Sequence, residues 1–289
     1  METSRPVNEA QGWRVVVITN IPDGFVYTLV DVVAAVPPDV DVLVSNHPSR
    51  WAAMLAPLQP DLIVCGGMPW LIPAEVIGLP RLGTINMHPA LLPRHRGPAA
   101  IDWAFRNGDP EMGFTVHWMD QSFDTGAILS QVRFPIDDED DNDSLGAKFG
   151  PLLPGLLREA LERVGRGDPG EPQDEAEATY AGLFEVEWRT IDWGQPARTI
   201  HNQVRSWTGF RDTPRGAVGE LDGDVLQITK TRLLPDEATS VLPPGTVLRR
   251  DGDRFVVQCG DGPLELVAWS RSRGRGAGHP APATTEGAA

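Results

Sequence analysis

At 289 residues, with 41% hydrophobic and 22% charged side chains, the chain holds enough apolar material for one large globular domain, or for a larger and a smaller one. Its 25 basic and 40 acidic residues leave a net charge of -15, a field that disfavours nucleic acid and anionic membranes unless a local basic patch overrides it. No stretch reaches the roughly 18 uncharged apolar residues of a membrane helix. The two cysteines, Cys65 and Cys259, sit in separate apolar runs and read as reduced, buried thiols.

The polar start, Met1 to Gly12, carries no hydrophobic leader, so the expected location is the cytoplasm. WRVVVITN (13–20) then reads as a strand buried on both faces, followed by a helix over 24–36 and a second strand, DVDVLVS (39–45). Helical spacing returns over 50–58, DLIVCGG (61–67) is a third strand, a short helix follows Pro73, and GTINMH (83–88) is a fourth strand. Strands alternating with helices imply an α/β fold with a mostly parallel sheet, which binds ligands outside the carboxyl ends of its strands. His88 stands at such an end.

A helix over 98–107 and two strands, GFTVHWMD (113–120) and AILSQVRFPI (127–136), come next. The acidic run DDEDDND (137–143) lacks the alternation and glycine of a calcium loop, so a solvated loop is expected there and no metal site. One periodic helix is expected from Leu145 to Val164, capped by Asp143 or Ser144. Residues 165–178, rich in Gly, Pro, Glu and Asp, read as a linker. Beyond it come one short helix (196–206) and strands with turn residues between them, the pattern of a small antiparallel barrel or sandwich. The last stretch cannot bury an apolar face and reads as a disordered tail over 272–289.

Chemistry concentrates in residues 85–131. Side chains two apart on a strand point the same way, so Asn86 and His88 project together, and Asp124 lies in a Gly-bounded loop that could reach back to the histidine. An amide, an imidazole and a carboxylate suit acyl transfer to an amine. The amide N–H donates to the developing oxyanion, the imidazole donates or shuttles a proton, and the carboxylate orients and charges the imidazole. No Ser or Cys accompanies the histidine, so direct attack is expected rather than an acyl-enzyme.

These residues lie in the pattern N-x-H-P-A-L-L-P-R-H-R-G, followed by D-x-x-x-D-T-G, which resembles the 10-formyltetrahydrofolate-dependent formyltransferase family. The likeness continues through 178–207 and 243–270, which look like the second domain of the methionyl-tRNA and formyltetrahydrofolate dehydrogenase members. It implies a Rossmann-like formyltransferase domain over 1–178, an open, OB-like β-barrel over 179–271, and 10-formyltetrahydrofolate as co-substrate. It makes Asn86, His88 and Asp124 the catalytic trio. Leu91, Leu92, Pro93 and Arg94 would line the formyl-folate channel; Gly67, Met68, Pro69 and Trp70 would flank the pterin; Asp120, Gln121, Ser122 and Phe123 would form the other wall. Ala90 replaces the family's common Ser.

Other residues carry plainer readings. His117 alternates along a strand and reads as a core or rim residue. Arg94, His95 and Arg96 form a basic spot, either a solvated loop or a contact for carboxylates of the folate tail or acceptor. The leading functional expectation is formyl transfer to a small amine such as an amino acid, a hydroxylated amine or an amino sugar. Methionyl-tRNA is the runner-up acceptor, disfavoured by the acidic charge and by the short SNHPSR (45–50) where the tRNA members carry a basic insertion. Hydrolysis of formyltetrahydrofolate is a third reading, against which Asn86 weighs, because the dehydrogenase's hydrolase domain lacks that asparagine. A folate-binding module without turnover is a fourth.

Overall fold

The computed structural model describes residues 13–19, 40–44, 50–68, 70–207 and 215–271. The helix expected over 24–36, Pro69, residues 45–49 and the tail 272–289 lie outside the described residues. Apolar, β-branched runs form the first five-residue strands, β1 (Val15–Thr19), β2 (Val40–Val44), β3 (Leu62–Gly66) and β4 (Thr84–His88). Between them lie α1 (Trp51–Leu55) and α2 (Ala74–Ile77), and after them α3 (Ala100–Asn107), β5 (Glu111–Trp118) and β6 (Ile128–Pro135). The strand order is β2-β1-β3-β4-β5-β6. Pairs β1–β2, β1–β3 and β3–β4 are parallel, whereas β4–β5 and β5–β6 are antiparallel, so the expected parallel sheet holds for four strands and turns mixed at the edge. A loop over 119–127 joins β5 and β6 directly, a connection that an antiparallel pair permits.

The two faces of this sheet differ. Val15, Val17, Leu62, Val64, Ile85, Met87, Phe114 and Val116 point into the larger core, beneath α4 (Asn142–Phe149) and α5 (Leu153–Gly165). Val16, Ile18, Ile63 and Cys65 point the other way, into a smaller core with Trp51, Leu55 and Val76. Cys65 pairs in register with Asn86, so the polar side chains of β4 extend the face on which that smaller core lies.

Two expectations about the helical region change. The helix from Leu145 to Val164 is two helices, broken by a 3-10 turn at Gly150–Leu152 where Pro151 has no N–H to donate. Its cap is Asp141, which accepts from the Ser144 N–H at 3.0 Å while the Ser144 hydroxyl accepts from the Asp141 N–H at 3.0 Å.

The acidic run 137–143 is largely exposed, as a solvated loop would be, but it is also paired. It forms a seam with α6 (Ala197–Ser206), whose residues 198, 201 and 205 face it at helical spacing. Arg198 pairs with Asp138, His201 Nε2 donates to the Asp138 carbonyl at 2.8 Å, and Arg205 donates to the Asp137 carbonyl at 2.9 Å. Lys148 pairs with Asp137 at 2.7 Å from the other side.

The C-terminal strands are β7 (Ala217–Leu221), β8 (Asp224–Leu233), β9 (Val247–Asp251), β10 (Arg254–Gln258) and β11 (Pro263–Arg271). They form an antiparallel sheet in the order β7-β8-β11-β10-β9, which packs with α6 around Ile200, Val204, Ile228, Val257, Leu264 and Leu266. Residues 165–178 are bound down rather than free: Glu171 exchanges both backbone hydrogen bonds with Ile128, at 2.8 and 2.9 Å, and Arg163 holds Asp168 and Glu171. Among the described residues no helix is long and apolar enough to cross a membrane.

Candidate active site

β4 sends Ile85 and Met87 into the larger core and Asn86 and His88 to the opposite face. On the neighbouring strand β5, Asn86 faces His117 and His88 faces Thr115. The 119–127 loop folds back over this face and brings Asp124 onto it. Asp124 takes the left-handed φ of 55°. The glycine of D-T-G is required by space: a Cβ on Gly126 would stand 1.8 Å from the Trp118 carbonyl oxygen.

The Asp124 carboxylate is the hub of the site. One oxygen accepts from Asn86 Nδ2 at 3.0 Å and lies 3.3 Å from His117 Nε2. The other accepts from the Gly97 N–H at 2.8 Å and lies 3.4 Å from His88 Nδ1. Gly97 has a φ of 107°, and a Cβ there would strike the Tyr180 ring, which accounts for the glycine of R-H-R-G. Burial alone would raise the Asp124 pKa. The imidazolium form of His88 beside it and the Gly97 N–H outweigh it and hold the carboxyl well below the usual carboxylate range.

The proton positions follow from the partners. His88 Nε2 lies 2.7 Å from the His95 carbonyl, which only accepts, so Nε2 carries the proton and neutral His88 keeps its lone pair on Nδ1, toward Asp124. Burial pulls the His88 pKa below its ordinary 6.5, with Asp124 opposing. His117 Nδ1 lies 2.8 Å from the Trp118 carbonyl and is protonated for the same reason. Its Nε2 therefore accepts the second Asn86 amide hydrogen, at 3.2 Å. Both hydrogens of Asn86 are thus engaged, one by Asp124 and one by His117. His117, read from sequence as a core or rim residue, belongs to the cluster.

Loop 89–97 closes the other side. Thr115 is a polar post beneath it, donating to the Ala90 carbonyl at 2.7 Å and accepting from the Leu92 N–H at 3.3 Å. Gln131 adds a bond to the Leu92 carbonyl at 3.1 Å. Leu92 is buried and Leu91 lies against Gly113, while Pro93 follows a cis peptide bond and accepts from the Thr179 N–H at 3.2 Å. The basic spot of this loop is committed to carboxylates within the chain. Arg94 and His95 both bind Asp109, at 2.8 and 2.6 Å, and Arg96 binds Glu175 at 2.7 Å.

Gly67, Met68 and Trp70 follow the carboxyl end of β3, beside the end of β4. Met68 and Met119 pack on the same smaller core, which puts the loops after β3 and β5 on one side of the sheet. Trp70 is 40% exposed. Asp120 accepts from the Ser122 N–H and the Thr125 hydroxyl, at 2.9 and 2.6 Å, and so sets the shape of its loop. Gln121 and Ser122 are exposed, and Phe123 lies 6.2 Å from the Tyr180 ring. Among the described residues no group of His, Cys, Asp and Glu is arranged to hold a metal ion.

The chain matches the family model "Formyl transferase" over residues 31–161 and "Formyl transferase, C-terminal domain" over 185–276. It is 39% identical over 218 residues to the methionyl-tRNA formyltransferase of Pelobacter propionicus, covering 75% of this chain and 66% of that one. It is 36% identical over 226 residues to the methionyl-tRNA formyltransferase of Caldanaerobacter subterraneus subsp. tengcongensis, covering 78% and 70%. The chain therefore spans about two thirds of the length of these relatives. Its fold is shared by HypX from Aquifex aeolicus, solved in complex with tetrahydrofolic acid, with a TM-score of 0.73 at 23% identity over 91% of this chain and 45% of that one.

Proposed function

Because this chain belongs to the formyl transferase family, we propose that it transfers a formyl group from 10-formyltetrahydrofolate to the amine of a small-molecule acceptor. The observation that carries this reading is the convergence of Asn86 and His88 on the one buried carboxylate of Asp124, at 3.0 and 3.4 Å. 10-Formyltetrahydrofolate supplies an activated formyl carbon. The residues fit it: an amide N–H for a carbonyl and a basic imidazole nitrogen for the proton of the amine, with the half-exposed Met68, Trp70 and Leu91 for an aromatic ring. Gly67, Leu92, Pro93, Arg94 and residues 120–123 complete the proposed binding loops.

The roles follow from charge. Asn86 turns one amide hydrogen toward the oxygen that gains negative charge, a contribution of about 2.7–4 kcal/mol for a well-placed donor. His117 or Asp124 gives up that hydrogen as it turns. As the amine bonds to the formyl carbon and the carbon's bond to the folate nitrogen breaks, the proton leaving the amine passes to the His88–Asp124 pair and from there to the departing folate nitrogen. Neutral His88 has its basic Nδ1 there, and the carboxylate stabilises the imidazolium that forms.

Charge pairing supports a small acceptor. On the C-terminal sheet, Arg232 and Arg254 pair with Glu265, Arg249 with Glu237, Arg250 with Asp222 and Arg271 with Asp224. Arginines already bound to carboxylates neutralise few phosphates. The second reading, transfer to methionyl-tRNA, is favoured by the two relatives at 39% and 36% identity.

Release of tetrahydrofolate from 10-formyltetrahydrofolate, measured with amino acids, hydroxylated amines, amino sugars, charged initiator tRNA or no acceptor, separates these readings. Release that depends on a small amine is expected. Release only with charged tRNA would transfer the function to the runner-up. Equal release with no acceptor would make the protein a hydrolase, and binding without release a folate carrier.

A further inference from the structure

Residues 171–181 run as a strap between the two sheets and are stitched to both loops that frame the site. At one end the Glu171–Ile128 bonds attach the strap to β6. At the other, the Arg96 N–H donates to the Thr179 carbonyl at 2.9 Å, the Ala181 N–H donates to the Arg96 carbonyl at 2.6 Å, and the His95 N–H donates to the Thr179 hydroxyl at 2.8 Å. His95 is the residue whose carbonyl holds His88 Nε2. The strap thus grips the loop that fixes one side of the imidazole.

One strap side chain grips the other loop as well. Gln173 Nε2 donates to the Asp124 carbonyl at 2.7 Å and to the Gly126 carbonyl at 2.8 Å. Its Oε1 accepts from Arg96 Nε at 3.0 Å, and the rest of that guanidinium binds Glu175. The Gln173 amide spends both donors on the carboxylate loop and accepts once from the imidazole loop. This matters because Asp124 is a non-glycine residue in the left-handed region, with a φ of 55°. Rotation about the N–Cα bond of Asp124 would relieve that conformation and swing the carboxylate off His88. The Gln173 bonds to carbonyls 124 and 126 oppose that rotation.

We propose that Gln173 is a positioning residue for the reaction, locking the Asp124 loop to the Arg96 loop so that the carboxylate meets His88. It acts through Asp124 and contacts neither the donor nor the acceptor. The kinetic part of its test rests on the formyl-transfer reading; the spectroscopic part does not.

The test compares the full-length protein with Gln173→Met, which keeps side-chain volume and removes all three polar contacts. Gln173→Glu, which removes both donors and keeps the acceptor for Arg96, serves if the first variant fails to fold. With 10-formyltetrahydrofolate and hydroxylamine as surrogate acceptor, kcat is expected to fall about 10- to 100-fold, the scale of a misplaced reacting group. KM for the folate is expected to stay within about twofold. In an Asp124→Asn background the same substitution is expected to cost nothing further, because its effect passes through Asp124. Independently, the imidazole 15N resonances of His88, faced by Asp124, His95 and His117, are expected to move in Gln173→Met and to stay in place in Glu177→Gln. Moved resonances in a protein that transfers no formyl group would uphold the positioning role and defeat the functional reading. Unmoved resonances with wild-type kcat, or a loss that adds in full to Asp124→Asn, would overturn the proposal.

Discussion

His88 meets Asp124 through its only free lone pair: Nε2 is tied to the His95 carbonyl at 2.7 Å, and Nδ1 lies 3.4 Å from the carboxylate. A neutral imidazole in this setting is a base whose conjugate acid is stabilised before any substrate arrives. Most of what the site is expected to do follows from that contact.

Asp124→Asn keeps volume but replaces a fourfold acceptor with an amide that must point hydrogens at one of its donors. A fall in kcat of about 10²–10⁴ is expected, the usual range for a group that manages a proton. Steady-state kinetics at saturating folate reads it directly.

The pH profile carries a sign. His88 works neutral, and burial depresses its pKa below 6.5. The acidic limb of kcat/KM should therefore fall below pH 6.5, with activity lost as pH drops through it. A limb above 6.5 would show that His88 is not the titrating base.

His117→Phe tests the residue that joined the cluster only in the folded chain. It strands one buried Asn86 amide hydrogen, a change that typically costs about 1–3 kcal/mol. Urea unfolding should show that loss, together with a lowered kcat as Asn86 loses its orientation.

Asp102 has a buried oxygen without a hydrogen-bond partner, and burial pushes its pKa up to about 7 from 3.8. The folded state then holds the proton more tightly than the unfolded one. Stability from this group is complete below pH 3.8, declines as pH rises to about 7, and is flat above it. The whole span is on the order of 4 kcal/mol. Asp102→Asn should abolish this slope and be the more stable protein at pH 8.

The seam at Asp138 has the opposite slope. Burial and Arg205 lower the His201 pKa to about 4, so its contribution is complete above 6.5 and lost as pH falls toward 4. Chemical unfolding between those values should lose on the order of 3 kcal/mol from this group. His201→Gln should remove that component.

The shared face of Asn86 and His88 was legible in sequence because strand alternation fixes it, and the glycines of R-H-R-G and D-T-G mark the loops that close on that face. His117 was hidden because its partner is set by register: Asn86 faces His117 across an antiparallel pair, and pairing cannot be read from one strand. The partners of the acidic run were hidden for a similar reason. Arg198, His201 and Arg205 lie about sixty residues away on α6 and enter no local pattern. Gln173 stood in a stretch whose composition says linker, and composition carries no information about which carbonyls a side chain will reach.

The most direct test follows a 13C label from the formyl group of 10-formyltetrahydrofolate by NMR, in the wild-type protein and in His88→Ala. The label should appear as a formamide on a small amine in the wild type and remain on the folate in the variant. A label recovered as free formate, a label delivered only to charged tRNA, or an undiminished rate in His88→Ala would contradict it.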